Sequence, residues 1–327
     1  MNILVTGGAG FIGSHYVRSL LRGDRAGYEG SRVTVLDKLT YAGDTANLPM
    51  DHPSLTFVRG DVCDEGLLLD LLPGHDAVVH FAAESHVDRS LVAASEFVRT
   101  NVAGTQTLLH CCLAAGVAKV VHVSTDEVYG SIAEGSWRED HLLEPNSPYA
   151  ASKAAADMMA RAAFRTHGLD VSITRCSNNY GTHQFVEKVI PLFVTRLLDG
   201  RDVPLYGDGR NVREWLHVDD HCRAVQLVLE RGRAGEIYNV GGGVELTNRE
   251  LTAKLLDLCG ADWSRVRAVT DRKGHDLRYS VDATKIHEEL GFTPGIDFDA
   301  GLAEVVRWYA DNHQWWDTRE ERLAHAR

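Results

Sequence analysis

The chain has little of what would mark it for several common roles. It has no basic excess: 34 Lys and Arg stand against 46 Asp and Glu, a net charge of −12 at pH 7. An acidic surface repels nucleic acid and anionic membranes, so neither is an expected partner. The six cysteines, Cys63, Cys111, Cys112, Cys176, Cys222 and Cys259, form no Cys-x-x-Cys pair and no Cys/His spacing of a zinc site. No metal is therefore expected, and the sixteen histidines read as structural or solvated. Scattered thiols suit a reducing cytoplasm, the expected compartment. No apolar run is long enough to span a bilayer. There is no internal repeat and no low-complexity stretch, and residues 1–10 enter a strand directly, so no signal peptide is expected. The charged stretch 318–327 is expected to fray.

What is present is ordinary globular material. With 327 residues, 44% hydrophobic and 24% charged, the chain can build one large α/β domain or two smaller ones. The β-rich run Asn2-Ile3-Leu4-Val5-Thr6 leads at once into Gly7, Gly10 and Gly13 spaced as G-x-x-G-x-x-G, then into an amphipathic helix with Val17, Leu20 and Leu21. Such a loop turns tightly and lets the backbone approach a pyrophosphate, which the helix N-terminus attracts. The next strand, Arg32-Val33-Thr34-Val35-Leu36, ends at Asp37. A carboxylate there accepts hydrogen bonds from an adenosine ribose and repels a 2′-phosphate, which points to NAD rather than NADP. A third strand follows over 55–59, with Asp61 and Val62 placed for the adenine edge. A fourth, 76–80, ends in Phe81-Ala82-Ala83, whose small side chains allow close passage of a cofactor. Residues 90–115 read as one long helix with Val98, Val102 and Leu109 on one face. The alternation of strand and helix means βαβ units and a parallel sheet.

The fifth strand, Lys119-Val120-Val121-His122-Val123, delivers Ser124-Thr125-Asp126-Glu127 just past its C-terminal end, where open α/β sheets bind ligands. An Asp-Glu pair taken alone is most simply a solvated turn. Downstream, Ser147 is a natural helix N-cap and Pro148 suits the first helical position. Tyr149 and Lys153 then share one helical face, and an ammonium beside a phenol lowers the phenol's pKa. Beyond residue 180 the alternation loosens. Short strands fit 204–206 and 211–218, and helices fit 219–231, 247–259 and 299–312. Trp308, Trp315 and Trp316 read as packing residues.

Gly7-x-x-Gly10-x-x-Gly13, Asp37, Thr125, Tyr149 and Lys153 together resemble the extended short-chain dehydrogenase/reductases. Thr125-Asp126-Glu127, with Ala82-Ala83-Glu84-Ser85-His86-Val87-Asp88-Arg89-Ser90, is similar more specifically to the dTDP-glucose 4,6-dehydratase family. The likeness continues through Arg175-Cys176-Ser177-Asn178-Asn179-Tyr180-Gly181, Glu187-Lys188, Pro204-Leu205-Tyr206-Gly207, Arg213-Glu214-Trp215 and Asp271-Arg272-Lys273-Gly274-His275-Asp276. It departs at Thr182-His183, where the family often has Pro and then an aromatic or His, and at Val186, where Pro is common.

The resemblance implies a Rossmann-type doubly wound parallel sheet with a smaller α/β C-terminal substrate domain. It divides the chain into a NAD-binding part, 1–180, that carries the catalytic residues, and a mainly nucleotide-sugar-binding part, 181–327, with some return to the sheet. It implies dehydration of dTDP-glucose, with NAD held tightly and regenerated each turnover. Tyr149 and Lys153 would serve the C4 oxidation and Thr125 the C4 oxygen; Glu127 would be the C5 base and Asp126 the acid. To the cofactor contacts it adds Phe11, Ile12, Lys38, Leu39 and Thr40, and also Ser85, Thr100 and Asn179. Substrate contacts would come from Ser85, Thr125, Asn178, Lys188 and Val189, from Pro204, Leu205, Tyr206 and Arg213, and from Asn248, Asp271, Arg272 and His275. It further implies a homodimer through a four-helix interface. A 4-epimerase or uronate decarboxylase of the same fold shares the loop, Tyr149 and Lys153 but needs no acid–base pair at Asp126 and Glu127. A non-catalytic NAD-binding regulator would keep the glycine loop and Asp37 but has no reason to keep Thr125, Asp126, Glu127, Tyr149 and Lys153 together. The residues leave the nucleobase open.

Overall fold

The computed structural model describes residues 1–23 and 30–325. In chain order its strands are β1 Asn2–Thr6, β2 Arg32–Asp37, β3 Leu55–Arg59, β4 Ala77–His80, β5 Lys119–Thr125, β6 Val171–Cys176, β7 Asn178–Tyr180, β8 Val203–Tyr206, β9 Val212–His217, β10 Ile237–Val240, β11 Val244–Thr247 and β12 Val266–Val269. Seven of them make one parallel sheet in the order β10-β6-β5-β4-β1-β2-β3. The central strands are buried on both faces, as runs such as Ile3-Leu4-Val5 and Val120-Val121 require. The chain leaves β1 toward β3 on one side and returns to β4 on the other, so a crevice opens above the C-terminal ends of β1 and β4.

The Pro148–His167 helix starts as its sequence dictates. Ser147 Oγ accepts the Ala150 N–H at 3.1 Å, and Pro148 occupies the first turn. Gly168, at φ 72°, ends it.

The single helix expected over 90–115 runs unbroken only from Ala94 to Ala115, and its winding changes along the way. Val87–Ser90 and Ala94–Phe97 are short turns of helix, Val98–Gly104 is wound more widely, and a regular helix resumes at Thr105–Ala115. The wide segment turns Asn101 inward, where its amide accepts from the Glu84 N–H and donates to the Glu84 carbonyl and to Ser152 Oγ, all at 2.8–2.9 Å. Widening shifts the angular register. Leu109 is therefore buried while Val98 is 55% exposed, and the two do not share a buried face.

After β6 the chain adds a small sheet, β11-β9-β7, and a pair, β12-β8. Helices Val189–Leu198, Asn248–Leu258 and Phe298–Asp311 pack there around Phe185, Ile190, Trp215, Leu255 and Trp316. Val218–Arg231 instead packs against β5, β6 and the first helix, and β10 returns to the large sheet beside β6. The tail expected to fray is the helix His313–His325, anchored by fully buried Trp316 and by Arg319; residues 326–327 lie outside the described residues. No helix among the described residues is long and apolar enough to cross a membrane.

Candidate active site

On one wall of the crevice the backbone does the shaping. Gly7 sits at φ 69°, and a Cβ there would lie 2.5 Å from the Ala82 nitrogen. A side chain at Gly13 would meet the Gly7 carbonyl. The cradle therefore closes only on glycine at both positions. Asp37 is buried and accepts the Ala9 and Leu39 N–H groups at 2.9 and 2.8 Å. Burial still pushes its carboxyl up. Leu39, at φ 55°, is one of two non-glycine residues in the left-handed region among the described residues. Lys38 pairs with Asp61 at 2.8 Å.

Thr125 ends β5, and its hydroxyl accepts the Glu127 N–H at 3.3 Å, starting the short turn Asp126–Tyr129. That turn delivers two carboxyls to one place with different surroundings. Asp126 is 2% exposed, and its Oδ2 has no hydrogen-bond partner. Burial, then Glu127 and Glu214, push its carboxyl well above the usual range. Glu127 is partly buried. Burial raises its carboxyl too, against the pull of Arg272, Arg213 and Lys188. Tyr149 is 8% exposed and Lys153 4%. Lys153 Nζ donates to the Val123 carbonyl at 2.8 Å, and burial lowers its pKa to about 8. The expectation that Lys153 depresses the Tyr149 phenol is not met. Burial and the charge of Glu127 raise that phenol well above 10, and a hydrogen bond with Thr125 is what opposes them.

One cleft joins these groups. Gly7, Gly10, Phe11, Ile12, Gly13, Asp37, Lys38, Thr40, Asp61 and Val62 line its cofactor end, with Phe81, Ala82, Ala83 and Thr100. Ser85, Thr125, Asp126, Glu127, Tyr149, Lys153, Asn178, Asn179 and Lys188 line the rest. Leu39, Val189, Pro204, Leu205, Tyr206, Arg213, Asn248, Asp271, Arg272 and His275 do not. Leu205 buries its side chain, and Val189 and Asn248 open helices. Arg213 is held by the Asp276 carbonyl at 3.1 Å and lies 4.3 Å over the Tyr279 ring. Arg272 is 3.6 Å from Asp88, which also accepts the Tyr206 hydroxyl at 3.2 Å. His275 pairs with Asp271 at 2.6 Å. Lys188 Nζ reaches the Ser85 carbonyl at 2.7 Å.

Sequence reasoning missed Glu84, Gln184, Phe185 and Glu187, which also line the cleft. Glu187 accepts the Tyr41 hydroxyl at 2.6 Å. No local pattern marks that pair, which lies 146 positions apart. The departures at 182–186 fall mostly behind the wall. Val186 is buried in the second core, and His183, at φ 65°, packs against Trp308 and Trp315.

A family model described as GDP-mannose 4,6 dehydratase matches residues 4–305. A curated relative from Actinoplanes sp., named dTDP-glucose 4,6-dehydratase, is 61% identical over 97% of this chain and 100% of its own length. The crystal structure of DesIV, a dTDP-glucose 4,6-dehydratase from Streptomyces venezuelae solved with NAD bound, is 66% identical over 98% of this chain and all of that one, with a TM-score of 0.96. A UDP-glucose 4-epimerase from Thermotoga maritima, solved with UDP-glucose, is 32% identical over 96% of this chain and all of that one, with a TM-score of 0.88.

Proposed function

Since this chain belongs to the GDP-mannose 4,6-dehydratase family, we propose that it is an NAD-dependent hydro-lyase that converts dTDP-glucose to dTDP-4-keto-6-deoxyglucose. The glycine cradle and Asp37 fit the dinucleotide, and NAD when bound supplies the hydride acceptor for C4 and the donor for C6. Tyr149 would take the C4 hydroxyl proton as its phenolate, which the positive charge of a bound nicotinamide would favour against the burial that raises the phenol, with the Thr125 hydroxyl on the same oxygen. The 4-ketone makes the C5 proton acidic. Glu127 removes it, and Asp126 gives its proton to the departing C6 hydroxyl, which leaves as water. C5 then regains a proton as the hydride returns to C6, so the cofactor ends as it began.

The observation that carries this reading is the contrast between the two carboxyls. Asp126 is buried with a free oxygen beside Glu127, which favours the protonated acid; Glu127 faces three cations, which favours the ionised base. Arg213, Arg272, Lys188 and His275 then serve the diphosphate, and Asn178, Val189, Pro204, Leu205, Tyr206, Asn248 and Asp271 the remainder of the nucleotide sugar. Turnover of dTDP-glucose in D₂O, read by NMR, tests it: deuterium at C5 of a 4-keto-6-deoxy product is expected, and a product that keeps its C6 hydroxyl would overturn it in favour of epimerisation. UDP-glucose in a parallel tube measures the base preference.

We also infer a homodimer. Leu91, Val92, Val98 and Met158 are exposed on and beside the two helical segments of the expected four-helix interface, and light scattering in solution tests it. Six free cysteines support the cytoplasm as its compartment.

A further inference from the structure

The last helix carries a cluster that the chemistry above leaves unused. Arg319, 3% exposed, lies 3.7 Å over the Trp315 ring. Its guanidinium donates to Asp44 at 2.6 Å and to Asn47 Oδ1 at 3.3 Å, and Trp315 Nε1 donates to the same Asn47 oxygen at 3.2 Å. Asp44 and Asn47 pass this on to the glycine loop. The Asp44 N–H and the Asn47 amide both donate to the Ala9 carbonyl, at 3.1 and 3.0 Å. The Ala9 N–H is itself bound to Asp37. The preceding helix, Phe298–Asp311, grips the opposite wall. Tyr309 donates to the Gln184 carbonyl at 2.5 Å, and His183 packs at a tilt against Trp308 with centroids 4.4 Å apart. Gln184 lines the cleft.

We propose that Arg319 is a positioning residue for the cofactor: through Asp44 and Asn47 it fixes the glycine loop, and with Trp315, whose ring also packs edge-on against His183, it ties both walls of the cleft to the last helix, setting how long NAD stays bound. The proposal rests on reading the cleft as a NAD site. A dinucleotide enclosed by two walls leaves only when they part. Removing the cation would leave Asp44 with the Ala46 N–H and half-exposed Arg322, 3.0 Å away, as its one remaining cation among the described residues, and buried carboxylates tolerate that poorly.

The test uses the full chain purified with its cofactor. NAD release is timed after dilution, kcat is measured with saturating NAD and sugar, and melting is recorded. Arg319→Met is expected to release NAD about tenfold faster, with kcat within about twofold of the parent. Arg319→Lys should fall between, and Arg322→Ala should change release less than about threefold. Trp315→Phe removes the indole N–H and shrinks the ring beneath Arg319, and should speed release about threefold. Release at the parental rate from Arg319→Met overturns the proposal. So does a fall in kcat matching the faster release, because that marks general damage. Should Arg319→Met not fold, unchanged release from Trp315→Phe overturns it. A parent chain that neither carries nor takes up NAD overturns the cofactor reading, and the proposal with it.

Discussion

On the cofactor wall the decisive atoms belong to the backbone; on the substrate wall they belong to side chains. Gly7 and Gly13 matter for what they lack, since any Cβ there meets Ala82 or Gly7 itself. Asp126, Glu127 and Lys188 matter for the charges they bring to the lining, with Arg213 and Arg272 behind them acting on Glu127. The first wall should fail when atoms are added, and the second when charge is deleted.

The largest effect should come from Glu127→Gln. Deleting the base is expected to slow dehydration by about 10³-fold. C4 oxidation survives, so absorbance at the NADH wavelength should rise and stay. Loss of both steps together would make Glu127 structural and break the contrast. Gly7→Ala tests the other wall: strain at φ 69° and the clash with Ala82 should weaken NAD binding roughly 100-fold by calorimetry on cofactor-free protein. Arg213→Met should raise KM for the nucleotide sugar about tenfold with NAD retention unchanged. If NAD is lost as well, the two walls are not independent.

The smallest effect concerns pH and stability. Asp126 has a folded pKa raised above its unfolded value, so its protonated form is the one the fold favours. Stability is then lost as pH rises through the folded value. Asp126→Asn should stabilise the chain by about 1 kcal/mol at neutral pH, with a margin in thermal melts that grows with pH, while dehydration collapses. In the parent, dehydration should rise with pH as Glu127 ionises and fall as Asp126 does. A profile without the falling limb would show that Asp126 is not the acid.

The same contrast explains how much could be read beforehand. The glycine loop, Asp37 and the alternation of strands announce the large sheet and its crevice, because each feature is local and periodic. Ser147, Pro148, Tyr149 and Lys153 announce a capped helix for the same reason. The change of winding within residues 94–115 is not local: the wide turn brings Asn101 to Glu84 and Ser152. Nor is the docking of the last helix, where nine charged or polar residues include the one Arg whose partner lies 275 positions away. The Tyr149 phenol was misjudged because spacing places Lys153 on the right face but cannot aim its ammonium, which is taken by Val123.

The return of β10 has a consequence for synthesis on the ribosome. Residues 177–236 separate β6 from the strand that covers its edge. At roughly 5–20 residues per second, those sixty residues hold β6 open for about 3–12 s after it emerges. That edge is built entirely of buried residues, Val171 to Cys176, and an unpaired edge of that kind is a template for aggregation. Any chain that stops short of Ile237 keeps it exposed for good.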